Sequence, residues 1–189
     1  TCALPIYTSG FHREMAPSHM AFAAALKGQA VPDITAPLTY CDLGCGQGVN
    51  TNLMAAAYPH IEFHGNDFNP AHVVGARRLA AEAGSTNVHF YEDSFEAFIS
   101  QPKLPEAFDI IALHGIYSWV SAENRAFVRQ FIAKKLKPGG LVYISYNALP
   151  GWSALAPLRR LMQLHGSAGT PTAARLQPAL DFLKAMEAS

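Results

Sequence analysis

Short apolar runs alternate with longer stretches of helical periodicity along most of the chain. The apolar runs are rich in β-branched and aromatic side chains, which is typical of buried strands. Because strands that alternate with helices over short connections are joined by right-handed crossovers, this order predicts an α/β fold whose parallel sheet is covered by helices on both faces. The predicted strands are Leu38–Leu43, Ile61–Asn66, Val88–Tyr91, Phe108–Leu113 and Leu141–Tyr146.

The stretches between these runs predict helices. Most of them begin with Pro or Ser, which suit a first turn or a cap, and end near Gly, which stops a helix. After Gly151 only helical patterns follow, and no sixth strand is evident. The predicted helices are Pro17–Lys27, Pro70–Ala83, a helix that follows the cap residue Ser121 and ends at Leu136, Ser153–His165 and Pro178–Ala188.

The length of 189 residues, half of them apolar, is that of one ordinary domain. Within it we expect a helical cover over residues 1–35, the alternating core over residues 36–150 and a helical segment over residues 151–189. Fourteen basic residues balance 14 acidic ones, which argues against a nucleic-acid partner. Neither a run of about 18 apolar residues nor a secretory signal pattern is present, so we expect a cytoplasmic protein without membrane contact.

A glycine-rich loop, Cys41–Gly48, stands where the first strand turns into a helix. Glycines at such a turn let the backbone approach a ligand closely, although a tight turn without a ligand is the alternative reading. A dinucleotide fingerprint requires a third glycine where this chain has Val49, which disfavours a pyrophosphate.

The ends of the second and third strands supply acids. Asp67 is placed to accept hydrogen bonds from ribose hydroxyls, and the neighbouring Phe68 offers a flat face to a purine. Asp93 is placed to accept from an adenine amino group. Either acid can instead cap the helix that follows it, and Asn69 can serve as the cap in place of Asp67. The three strand ends converge on one crevice, and the pattern favours an adenosine there.

At this point the chain resembles a family. Tyr40–Gly48, Gly65–Pro70 and Leu136–Tyr143 are similar to the first, second and fifth-strand signatures of class I S-adenosylmethionine-dependent methyltransferases. Leu113–Val120 and Tyr143–Trp152 resemble stretches of the bacterial methyltransferases that carry a C-terminal regulatory domain, a group that includes protein-lysine methyltransferases.

The resemblance implies a Rossmann-like three-layer sandwich whose cofactor is S-adenosylmethionine, bound by residues 36–150. It implies that Gly44 and Gly46 approach the methionine part and the sugar, and that His114 lines the reaction centre. Tyr7 or Arg13 would meet the methionine carboxylate, or else belong to a surface-packed leader. The implied cofactor-binding residues are Tyr7, Arg13, Asp42, Gly44, Cys45, Gly46, Asp67, Phe68, Asp93, Ser94 and His114.

Methyl transfer is an in-line displacement that depends mainly on positioning, and it requires no metal. The eight histidines show no recognisable metal-ligand spacing, so we predict no metal site. His114 either accepts a proton from an acceptor amine or hydrogen-bonds the methionine portion of the cofactor; we favour the second. The candidate acceptor pocket, whose aromatic members suit a cation but also suit a core, comprises His114, Tyr117, Trp119, Tyr146, Asn147 and Trp152. Of these, His114 and Tyr117 are the candidate catalytic residues.

In class I methyltransferases two further strands follow the fifth, whereas only helical patterns follow it in this sequence. A free fifth strand would expose unpaired backbone, so we expect a module that continues beyond Ser189, or an edge covered by the C-terminal helices or by a second copy in a dimer. The methyl acceptor is a protein side chain such as lysine, or a small molecule. The alternatives are a nicotinamide-dependent oxidoreductase and a binding module without catalysis.

Overall fold

The computed structural model describes residues 10–166 and 172–187. Five strands within these residues form one sheet in the order β3-β2-β1-β4-β5, and every neighbouring pair is parallel. The strands are β1 (Leu38–Leu43), β2 (Ile61–Asp67), β3 (Val88–Glu92), β4 (Phe108–Leu113) and β5 (Leu136–Ile144). The predicted α/β class and parallel sheet are therefore confirmed.

Seven α-helices and two 3-10 helices accompany the sheet in the described residues. The 3-10 helices are Arg13–Met15 and Ser153–Leu155. The α-helices are α1 (Pro17–Ala25), α2 (Val49–Ala57), α3 (Pro70–Glu82), α4 (Phe95–Phe98), α5 (Ala122–Lys135), α6 (Ala156–His165) and α7 (Thr172–Glu187).

The largest differences from the predicted boundaries are at the starts of two elements. Strand β5 begins at Leu136 instead of Leu141, because Leu136 pairs with Phe108 before a register shift brings Leu141 opposite Ile110. The residues between the two pairings carry Pro and Gly, which the pattern assigned to a loop. Helix α7 begins at Thr172, ahead of Pro178, because the Ala, Leu and Gln residues before that proline favour a helix.

Alternate residues of the strands pack on opposite faces of the sheet. On β1, Tyr40 belongs to one core cluster and Cys41 to the other; on β4, Ile110 and Ile111 divide in the same way. The first cluster includes residues of α2 and α3, and the second includes residues of α4 and α5. This is the three-layer sandwich that the alternating pattern predicted.

The chain divides into two compact units, one ending at Tyr146 and the other beginning at Asn147. The first contains the sheet. In the second, α6 and α7 pack together through the rings of His165 and Phe182, whose centroids are 3.5 Å apart, and Ala179 is buried. No helix in the described ranges is long and apolar enough to cross a membrane.

Gly48 joins the glycine loop to α2 at a point of very close packing. Its φ is +67°, and a Cβ added there would lie 2.5 Å from the Cβ of Ala76 and 2.8 Å from the ring of Phe90. The residue therefore needs both a left-handed backbone and the absence of a side chain.

We expect Gly48→Ala to lower the free energy of unfolding by about 2–4 kcal/mol, since it adds a steric clash to backbone strain. Gly84→Ala is the matched control, because Gly84 has a φ of +65° but open space around it. Its loss should be near 1 kcal/mol. Urea unfolding of both variants measures the difference, and equal losses would show that crowding at Gly48 is unimportant.

Candidate active site

A cavity of about 690 Å³ opens at the carboxyl end of the sheet. It is lined by the loop after β1, by the ends of β2, β3 and β4, and by residues of the N-terminal segment. All of its lining residues belong to the first unit. In open α/β sheets, the crevice beside the strand where the chain order reverses is the usual ligand site, and β1 is that strand here.

The glycine loop is held in place by the end of β2. The amides of Gly44 and Cys45 donate to the carbonyl oxygen of Asn66, over 3.0 and 2.9 Å. Gly44 and Gly46 both have positive φ. A Cβ on Gly44 would lie 2.6 Å from the Ile116 side chain, whereas a Cβ on Gly46 would have no protein atom within 4 Å. The backbone at Gly46 is therefore open to a ligand.

Asp67 ends β2, and both oxygens of its carboxylate have partners within the chain. Its Oδ2 accepts from the amide of Gly46 at 3.0 Å, and its Oδ1 accepts from the amide of Asn69 at 2.8 Å and contacts Nδ1 of His72 at 3.2 Å. The side chain of Asn69 caps α3 by accepting from the amide of Ala71. Asn69 rather than Asp67 is the helix cap, and Asp67 remains a lining residue of the cavity.

The predicted adenine-facing residues also line the cavity. Ser94 caps α4, accepting from the amide of Ala97 at 3.2 Å, so Asp93 is not needed as the cap. The Oδ2 atom of Asp93 accepts from Gln101 at 2.8 Å. Phe68 is 58% exposed, and its ring is free of the core. This end of the cavity thus presents an aromatic face beside a carboxylate.

Asp42 lies beneath the loop and is almost completely buried. Burial raises the pKa of this carboxyl from 3.8 to about 6, against the hydrogen bond of 2.6 Å that Thr51 donates; the nearby Asp67 adds to the rise. Cys45 lines the cavity too, and burial raises the pKa of its thiol well above the usual value. The carboxyl groups of Asp42 and Asp67 both line this cavity, which favours a ligand that carries positive charge.

His114 follows β4 at the other end of the cavity. Its Nδ1 lies 3.0 Å from the hydroxyl of Tyr143, and its ring stacks on that of His12 with centroids 3.8 Å apart. Burial and the neighbouring His12 lower the pKa of His114, while Glu14 acts in the opposite direction. The ring is therefore mainly neutral at pH 7 and can offer a hydrogen bond to the cavity.

Two predicted residues lie outside the cavity lining. Arg13 is exposed and is not among the lining residues, because the 3-10 helix turns its side chain outward and brings His12 and Met15 to the cavity. Tyr117 is likewise outside the lining; it packs against the second core cluster, with its hydroxyl 3.5 Å from Arg129. The geometry supports neither assigned role. Tyr7 lies outside the described residues.

Of the remaining predicted acceptor residues, some line the cavity and others do not. Trp119 lines the cavity although 64% of it is exposed, so it stands at the rim. Tyr146 is exposed at the end of the first unit, and Asn147 and Trp152 belong to the second.

His12 is a lining residue that the sequence reasoning missed. It lies within the predicted helical cover, residues 1–35, but only its contacts with Asn50 and His114, far along the chain, distinguish it from its neighbours. Together with Glu14, the two histidines offer three potential metal ligands within 4.8 Å of one another. The planes of the two stacked imidazoles are only 23° from parallel with centroids 3.8 Å apart, so lone pairs that lie in these planes do not converge on a nearby common centre. This geometry does not favour a shared ion.

Comparison with known proteins agrees with the site. A family model described as a methyltransferase domain matches residues 34–170. An uncharacterized protein of Synechocystis sp., sll1526, is 50% identical over 95% of this chain, and the uncharacterized protein RP789 of Rickettsia prowazekii is 30% identical over 89% of it. The chain spans 35% and 30% of the lengths of these two relatives.

A solved structure is also similar. PKMT2 from Rickettsia typhi in complex with AdoHcy superposes with a TM-score of 0.78 and 28% identity, over 96% of this chain and 34% of that one. The chain therefore belongs to the methyltransferase-domain family, within the class I S-adenosylmethionine-dependent methyltransferases. The comparisons support neither a nicotinamide-dependent oxidoreductase nor a module without catalysis.

The residues present fit the cofactor of this class. The open backbone at Gly46 and the buried carboxyls of Asp42 and Asp67 suit a sugar joined to a positively charged group. A pyrophosphate would favour Lys or Arg, and neither occurs among the lining residues that the structure describes. Gly44, Gly46 and Asp67 would hold the nucleoside, with Phe68, Asp93 and Ser94 at the base. His114 and His12 would lie at the opposite end.

We expect Asp67→Asn to weaken S-adenosylmethionine binding by about 1–3 kcal/mol, because the amide keeps one acceptor oxygen but loses the charge. Calorimetric titration measures the affinity, and thermal unfolding without cofactor shows whether the variant is folded. Asp33→Asn, at an exposed aspartate, is the control and should bind as the wild type does. Unchanged affinity in the folded Asp67 variant would contradict the proposed ribose contact.

The raised pKa of Asp42 predicts a pH-dependent stability. Its folded pKa, about 6, exceeds the unfolded value of 3.8, so the folded state binds more protons and Asp42 lowers stability as pH rises from 4 to 6. Asp42→Asn should therefore gain stability relative to the wild type across this range, by an amount on the order of 3 kcal/mol. Urea unfolding at pH 4 and pH 7 measures the gain.

His64 contributes a pH dependence of stability opposite to that of Asp42, because burial lowers its pKa to about 4. This contribution is common to both proteins and cancels when Asp42→Asn is compared with the wild type. Asp33→Asn is a control of opposite sign, since hydrogen bonds from Thr35 lower the pKa of Asp33. That variant should lose stability relative to the wild type as pH rises. If the difference in free energy of unfolding between Asp42→Asn and the wild type does not vary with pH, the raised pKa of Asp42 is refuted.

Proposed function

We propose that the whole protein, of which this chain is the cofactor-binding module, transfers a methyl group from S-adenosylmethionine to a lysine side chain of a protein. The observation that carries this proposal is the cavity itself. One end holds the groups suited to a nucleoside, Gly46 and Asp67, and the other end has His114 and the exposed indole of Trp119 at the rim.

When bound, S-adenosylmethionine supplies an electrophilic methyl group on a positively charged sulfur. The protein then needs to hold a neutral amine in line with that methyl and to exclude water. We infer that His114, held by Tyr143, positions the methionine end of the cofactor through its hydrogen bond. Trp119 offers a π-face to the acceptor ammonium as it enters, and such contacts contribute about 0.5–2 kcal/mol.

The charge around the cavity supports a basic acceptor. Glu96 and Glu123 lie in the first turns of α4 and α5, and Glu92 ends β3, so three exposed acids lie near the carboxyl ends of the strands. A lysine in a protein segment would be attracted to this edge. The name of the similar Rickettsia protein, PKMT2, hints at a lysine acceptor for that protein and is consistent with this proposal.

The acceptor is tested with the full-length protein and isotopically labelled methyl donor in a cell lysate. We expect mass spectrometry to find label on lysine side chains, and less label when Asp67→Asn replaces the wild type at a donor concentration below the dissociation constant of that variant. Label confined to small molecules, or to RNA, would overturn the lysine assignment but leave the methyl transfer intact.

The rim contact predicts a separation of kinetic constants. Trp119→Ala should raise KM for the acceptor by about 3- to 30-fold, the range that corresponds to a lost cation–π contact, and should leave the cofactor affinity unchanged. Trp119→Phe should recover part of the loss. Phe22→Ala, at an aromatic residue of α1 that is 62% exposed, is the control and should have no effect. A Trp119→Ala variant with an unchanged KM would exclude the indole from acceptor binding.

A further inference from the structure

The N-terminal segment is fastened to the cavity at a defined point. The amide of His12 donates to Oδ1 of Asn50 at 2.9 Å, and Asn50 is itself buried in the first turn of α2. The Nδ2 group of Asn50 turns towards the sulfur of Met15, at 3.3 Å, and Met15 is buried in the core. The backbone on both sides of the His12 ring is therefore anchored.

This anchoring places the His12 ring against His114. The two centroids are 3.8 Å apart and the planes differ by 23°, so His12 covers one face of the His114 ring. At the ring edge, Nδ1 of His114 is held by the hydroxyl of Tyr143. One contact fixes the edge of the imidazole and the other fixes its plane, which together leave a single orientation towards the cavity.

We propose that His12 is a positioning residue for His114: its ring fixes the plane of the His114 ring and shields that face from water, and Asn50 holds His12 in place. The proposal deepens the proposed function, because it rests on His114 belonging to the reaction centre.

The stacked ring of His12 also affects the protonation of His114. The titratable groups that act on His114 are His12 and Glu14 from the N-terminal segment and, on β5, the hydroxyl of Tyr143. Covering the ring disfavours its charged form, and a positive charge on the His12 ring, 3.8 Å away, would repel a positive charge on His114. Removal of His12 therefore raises the pKa of His114 as well as freeing its ring.

The direct test is an NMR titration of the histidine rings in the full-length protein, with the His114 resonance assigned by its loss in His114→Ala. We expect the His114 titration midpoint to move upward in His12→Ala. In His12→Phe, which restores the stacked face without a second imidazole, the midpoint should lie between those of the wild type and His12→Ala. His19→Ala, at an exposed histidine of α1, is the matched control and should leave it unchanged. An unchanged midpoint in His12→Ala would overturn the proposal.

Turnover separates this proposal from the proposed function. His12→Ala should lower kcat by about 10- to 100-fold, as expected when a positioned group is released. Combined with His114→Ala it should cause no further loss, because His12 acts through His114. Additive losses would show that His12 acts independently and would refute its positioning role. Full turnover in His114→Ala alone would instead refute the proposed reaction centre, whatever the NMR titration shows.

Discussion

The end of β2 holds the glycine loop, and the rest of the site depends on this contact. The carbonyl of Asn66 accepts two loop amides, and the carboxylate of Asp67 accepts a third, from Gly46. These amides have no helical partner, so without β2 they would need water or a ligand. Because β1 and β2 are in parallel register up to Leu43 and Asn66, the sheet delivers these acceptors directly beneath the loop.

In this arrangement the carboxylate of Asp67 has two roles. It satisfies the amides of Gly46 and Asn69, and it faces the cavity where a ribose would be bound. Each carboxylate oxygen can accept more than one hydrogen bond, so the internal bonds orient the group without using all of its capacity. The internal donors make the site preorganised, and the orientation of Asp67 does not have to be created when a ligand enters.

The sequence predicted those features that depend on local pattern. Four of the five strands, the caps Asn69 and Ser121 and the residues around the loop follow from alternation, turn residues and short spacing. Strand β5 was shortened because Pro138 and the adjacent glycines conceal a pairing that only the neighbouring strand reveals. His12 was missed for a similar reason. Its role depends on Asn50 and His114, and neither contact leaves a mark at the position of His12 in the sequence.

The two ends of the cavity differ in the charge that they tolerate. At one end burial disfavours ionisation of Asp42, and the nearby carboxylate of Asp67 adds to that cost. At the other end burial and the neighbouring His12 disfavour the charged form of His114, so that ring adds little positive charge to offset the acids. A ligand with a positive charge between these ends therefore relieves the repulsion between the carboxylates, and a ligand without it does not. S-adenosylmethionine carries that charge on sulfur and its demethylated product does not. The same buried acids that help to bind the donor thus provide a physical reason for the product to be held less tightly.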